Sequence, residues 1–119
     1  MKLNITKFFQ VQQAIKVHHW ITADYSLHVL LDDFLKDYNE LVDEIVENFL
    51  SEDSNEIEVN PFQPSDAAFE SLGKLIKLAK ESFNEICQNI DKMPKGMRTI
   101  VDEVTQTMTK YRYLFGKFA

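Results

Sequence analysis

The sequence predicts an all-α protein, a four-helix bundle with a long crossover between its second and third helices. Three observations carry that prediction. Apolar residues recur at helical spacing in four separate stretches. Strand signals are weak outside one short run, Glu-Ile-Glu-Val at 56–59. A polar connection of ~16 residues, long for a compact domain, separates the second stretch from the third and carries Pro61 and Pro64. With Gly 3 and Pro 3 in 119 residues, few turns are expected. The length fits a single domain over 1–119 with a core of its own.

The first helix is expected over about 4–22, with Asn4 as its N-cap. Phe8, Val11, Ile15 and His19 form its stripe, and Ala14 and His18 lie beside them. Residues 22–26 break the pattern, and Asp24 or Ser26 can cap the next helix. That second helix, about 26–50, carries Leu27, Leu31, Phe34, Tyr38, Leu41, Ile45 and Phe49 as one apolar stripe. Pro64, Ser65 and Asp66 signal the start of a third helix over about 66–91. Its core positions include Phe69, Leu72, Leu75, Ile76 and Phe83, with Gly73 a weak point. A short turn around Pro94 leads to the fourth helix, about 97–115, with Ile100, Val104, Met108 and Tyr111 inward. The long link lets the third helix start at the far end of the bundle from where the second stopped.

Composition narrows the function. Hydrophobic residues are 45% of the chain, with Phe 9 among them, which is not a disordered composition. The net charge of -6 argues against a nucleic-acid coat, because duplex affinity rests on neutralising phosphates. Lys74, Lys77 and Lys80 read as a solvated face. Cys87 is the one cysteine, expected as a small buried helix residue. No internal disulfide can form, which suits a reducing compartment. No stretch approaches the ~20 apolar residues of a membrane span, and the N-terminus lacks the pattern of a signal peptide. A cytoplasmic location without membrane contact is expected.

All three histidines and the single tryptophan stand just before or within the acidic second helix. At ~100° per residue, with His28 at zero, Asp32 falls near 40°, Asp43 near 60° and Glu47 near 100°. This arc is read as flanking the apolar stripe. Asp33, Asp37, Glu40 and Glu44 are read as the outer face. His28 with Asp32, and Asp43 with Glu47, are i, i+4 pairs that can each chelate one ion. Asp32 and Asp43 are nevertheless about 16 Å apart along the axis, so one ion cannot reach both. A second copy crossing about a two-fold axis would bring His28 and Asp32 against Asp43 and Glu47 of its mate, and would do so twice. His19, expected on the core-facing side of the first helix, adds a nitrogen. His18 is expected to be packed or solvent-facing and Trp20 to be packing. Mixed nitrogen and carboxylate donors suit Fe(II), Zn or Mn more than Ca or Mg. The plainer reading leaves these acids as a solvated face.

These residues also carry a resemblance. His19-Trp20, Leu27-His28 with Asp32, and Asp43-Glu44-Ile45-Val46-Glu47 resemble the motifs of the mini-ferritins, the DNA-protecting starvation-type members of the ferritin-like superfamily. The chain is similar in particular to small phage-type members. The likeness covers roughly the first 50 residues, and beyond them only the helix pattern agrees. The interval from His19 to His28 is a few residues shorter than in typical mini-ferritins. No lysine-rich tail is present, and no Glu-x-x-His lies in the last two helices. The resemblance implies a ferritin-like bundle and a homo-oligomer, at least a dimer, joined through helices one and two. It also implies an inter-subunit ferroxidase site for Fe(II) oxidation by peroxide or oxygen, serving iron storage or oxidative protection. His19, His28, Asp32, Asp43 and Glu47 would be the metal ligands, with iron, or else zinc or manganese, as the ion. The rival expectation is a metal-free helical interaction module of a phage or bacterium, with the same fold and no specific ion.

Overall fold

Chain direction in the second half of the molecule is set by a segment that runs the length of the first helix. A computed structural model describes residues 1–118. Strand β1 (Lys2–Asn4) leads into α1 (Thr6–Ile21), and a tight link enters α2 (Tyr25–Phe49). Strand β2 (Glu56–Glu58) pairs with β1 in parallel, Leu3 opposite Ile57. This places the start of the crossover beside the start of α1. The chain then climbs along that helix. The Asn60 N–H donates to Thr6 Oγ1 at 2.9 Å, Gln10 Nε2 donates to the Gln63 carbonyl at 3.3 Å, and His18 Nε2 meets the Glu70 carbonyl at 2.9 Å. The next helix, α3 (Leu72–Glu81), thus begins at the opposite end of the bundle from the end of α2. The predicted long crossover is present.

A short α4 (Asn84–Gln88), a turn, and α5 (Met97–Gly116) complete the chain. Helix α1 packs on α2 and α3, and α5 packs on α2 and α3. The four longer helices therefore close a ring in which α2 and α3, consecutive in sequence, stand across from each other. Phe8, Phe34, Tyr38, Phe83, Tyr111 and Phe115 fill its centre. Phe34 and Tyr111 lie 4.6 Å apart between ring centroids.

Several boundaries differ from the sequence expectation, each for a local reason. Residues 2–4 are strand. Asn4 Oδ1 accepts from the Thr6 N–H, but Ile5 occupies the cap position without a side-chain bond. The Glu-Ile-Glu run is a strand because β1 gives it a partner. Helix α2 starts as expected, with Asp24 Oδ1 accepting from the Leu27 N–H at 3.1 Å. The third predicted helix is broken. Its first residues form a 3-10 turn, Asp66–Ala68, still climbing α1, and Ser71 caps α3 by accepting from the Lys74 N–H. Phe69, expected in the core, is 68% exposed because it belongs to that climb. The helix ends at Glu81. Ser82 Oγ donates back to the Ala79 carbonyl, so the Tyr38 hydroxyl must be the donor in its 2.8 Å bond to Ser82. Cys87 is exposed and not buried. Among the described residues no helix is long and apolar enough to cross a membrane.

Candidate metal centre

The end of α1 and the start of α2 meet through their histidines. The imidazoles of His19 and His28 stack with centroids 3.7 Å apart and planes 25° from parallel. Each ring bonds to the other residue's backbone. His19 Nδ1 meets the His28 carbonyl at 3.0 Å, and His28 Nδ1 meets the His19 carbonyl at 2.8 Å. A carbonyl only accepts, so both Nδ1 atoms carry the proton. In neutral imidazoles both Nε2 atoms are then bare lone pairs. Donation of one ring N–H to a carbonyl, with the other nitrogen left free, is how metal-ligating histidines are usually held. The short link between the helices makes the pair possible, because nine positions from His19 to His28 are just enough to turn the chain. Tyr25 flanks the pair, its ring 6.3 Å from that of His28.

The carboxylates are placed differently from the sequence expectation. Asp32, Asp43 and Glu47 are all exposed. The stripe from Leu27 to Phe49 centres about 145° from the arc of His28, Asp32, Asp43 and Glu47, so that arc is mostly the outer face. The acids read as outer are the ones that meet α5. The Tyr111 hydroxyl donates to Asp37 Oδ2 at 2.5 Å, and Lys110 stands 3.8 Å from the same oxygen. The Glu103 carboxyl beside Glu44 raises the Glu44 pKa, chiefly through hydrogen bonding between the two side chains; desolvation and the charges of Glu103, Glu40 and Glu47 act in the same direction. Periodicity could not assign these flanks, because which side of a stripe a neighbour covers is decided by the neighbour.

His19 is half-buried, while His18 is the buried imidazole of α1. The expected inward position of His19 therefore belongs to His18. Trp20, expected as packing, is 65% exposed. The structure brings His19 and His28 together. It does not add Asp32 to them as a third donor, since among the described residues no group of three His, Cys, Asp or Glu is placed to hold a metal ion. Asp43 and Glu47 lie about 22 and 28 Å along α2 from His28. The donor chemistry fits a borderline transition ion, but one chain supplies two nitrogens at one end of α2 and two carboxylates at the other.

Fold and site together define a class: a mostly helical bundle with a small two-stranded sheet that displays a stacked pair of imidazoles at the corner of its first two helices. The chain belongs to a family of unknown function, DUF5856, whose model matches residues 19–115. That span opens on His19 and holds all five candidate ligands. No curated protein and no solved structure matches the chain.

Proposed function

We propose that this is a ferritin-like protein that takes Fe(II) as substrate at a site shared between two copies of the chain. The observation that carries the reading is the reciprocal Nδ1–H to carbonyl bonding of His19 and His28, which readies both Nε2 atoms as donors. His19 and His28 of one copy would meet Asp43 and Glu47 of the other, with Asp32 as a further carboxylate at the histidine end. The backbone carbonyls hold the imidazoles in the ligating tautomer. Carboxylates offset the ion's charge and favour Fe(III) over Fe(II), which assists oxidation by peroxide or oxygen. The reading rests also on the mini-ferritin resemblance of residues 19–47 and on a crossover that runs the length of the bundle. The exposure of Asp32, Asp43 and Glu47 favours the second reading, a metal-free interaction module, in which these acids are only solvated.

Mixing of subunits separates the two. His28→Ala and Glu47→Ala should each stay folded by circular dichroism and each lose most Fe(II) oxidation. A heterodimer of the two has one site lacking both residues and one site lacking neither. It should recover about half of the wild-type rate. Wild-type oxidation rates in both single variants, or an absence of specific iron binding by the native chain, would favour the interaction module.

A further inference from the structure

A cavity opens on the flank of α1, between α2 and the crossover that climbs beside it. Its volume is about 520 Å³, within the range of small-ligand sites. Val17 of α1, Leu35 of α2 and Ala68 of the 3-10 turn line it with apolar surface, and neither His19 nor His28 borders it. Three features converge on one kind of ligand.

The first is a pair of open aromatic rings. Trp20, at the end of α1, and Phe69, at the end of the climb, both line the cavity, and both are about two-thirds exposed. Large rings left this open in one concave site offer stacking surface to a flat ligand. The second is charge. Among the described residues that line the cavity, Lys16 is the single charged one. Its Nζ stands 5.6 Å from the centroid of the Trp20 ring, and among the described residues no carboxylate pairs with it. In a chain of net charge -6, an unopposed ammonium beside apolar walls selects an anion. The third is Asn39, which lines the same cavity from α2 and whose Oδ1 is buried without a hydrogen-bond partner. Such an acceptor costs stability unless a donor reaches it. The terminal torsion of an asparagine is soft, so a turn about Cβ–Cγ swings Oδ1 toward the cavity, where a ligand N–H can donate to it.

We propose that this cavity binds a small planar aromatic carboxylate that carries a ring N–H. The ring rests against Trp20 and Phe69, on the apolar wall of Val17, Leu35 and Ala68. The carboxylate pairs with the Lys16 ammonium, and the ring N–H donates to Asn39 Oδ1. Binding needs no change of protonation and no metal, so the inference stands apart from the shared iron site.

Indole-3-acetate, titrated into the metal-free full chain, tests this. The chain has one tryptophan, so nitrogen-15 NMR gives a single indole N–H signal, and that signal reports on the cavity wall directly. It should shift saturably, at one indole-3-acetate per chain. Indole-3-ethanol, the same ring without the charge, should bind about fivefold more weakly, as should indole-3-acetate to Lys16→Met, which keeps the aliphatic stem. Naphthalene-1-acetate, which keeps the charge and lacks the N–H, should also bind about fivefold more weakly. Phe69→Ala should weaken indole-3-acetate about tenfold through lost stacking. Residues 16 and 69 are exposed, so both variants should fold, which circular dichroism checks. No saturable shift of the Trp20 signal, equal affinity for indole-3-ethanol or naphthalene-1-acetate, or unchanged affinity in Lys16→Met or Phe69→Ala would each overturn the proposal.

Discussion

Tyr111 shows how much one hydroxyl decides here. Its ring is among the most buried side chains, packed on Phe34 and Phe115, and its hydroxyl reaches Asp37 on α2. Burial pushes its pKa far above the ordinary tyrosine range, and the bond to Asp37 with the charges of Asp37 and Asp33 adds to this. A tyrosine raised in this way favours folding fully below the unfolded value of about 10, and that contribution is lost as pH rises through the folded value. Tyr111→Phe keeps the ring and removes the donor. Because Asp37 is only half-buried and water can replace the bond, the loss at neutral pH should be about 1 kcal/mol. Urea unfolding at neutral pH measures that loss. Repeated on the alkaline side of pH 10, it should show the variant losing stability less steeply than wild type, since one ionisation that unfolding would favour is gone.

At the scale of elements, the end of α2 and the start of α5 approach closely at Gly96 and Asn48. Gly96 stands at the N-cap of α5 with an ordinary φ of -67°, so backbone freedom is not its reason. A Cβ at this position would come within 2.5 Å of Asn48 Nδ2, while Asn48 Oδ1 is buried without a partner. Gly96→Ala should therefore push the Asn48 side chain aside and cost roughly 1–3 kcal/mol, the usual range for overpacking. The double variant Gly96→Ala with Asn48→Ala should recover much of that loss if the clash is the cause. A thermodynamic cycle from chemical denaturation gives the coupling directly, and strictly additive losses would place the cost elsewhere.

For the whole molecule, the corner of α1 and α2 is the face on which the two readings differ. Trp20, Ile21, Tyr25 and Val29 are exposed there, on either side of the stacked histidines. In the shared-site reading a second copy covers this face, and the chain is at least a dimer. Light scattering at micromolar protein with Fe(II) present should give at least twice the mass of one chain, and a monomer would end the shared-site reading. Charge sets a second expectation for the same sample. At a net charge of -6, gel retardation of duplex DNA in ordinary salt should show no tight complex.

The amino-acid sequence by itself determined the helices, because their periodic stripes and the Asp24 cap are local features of the chain. It also pointed to a crossover, since a mostly polar connection of about sixteen residues is long for a tight helical hairpin. The pairing of His19 with His28 was half legible: their motif spacing was on view, but the reciprocal bonds to each other's carbonyls needed the turn folded. Three things were decided only by tertiary structure. Residues 66–71 left the third helix because they pack along α1, where His18 Nε2 bonds the Glu70 carbonyl. The run at 56–58 became a strand because residues 2–4 lay beside it. The two acidic flanks of α2 exchanged roles, with Asp37 and Glu44 meeting α5 and Asp43 and Glu47 left outside. Periodicity gives the angle of a side chain about its own axis, whereas what that side chain faces depends on where another helix has been packed.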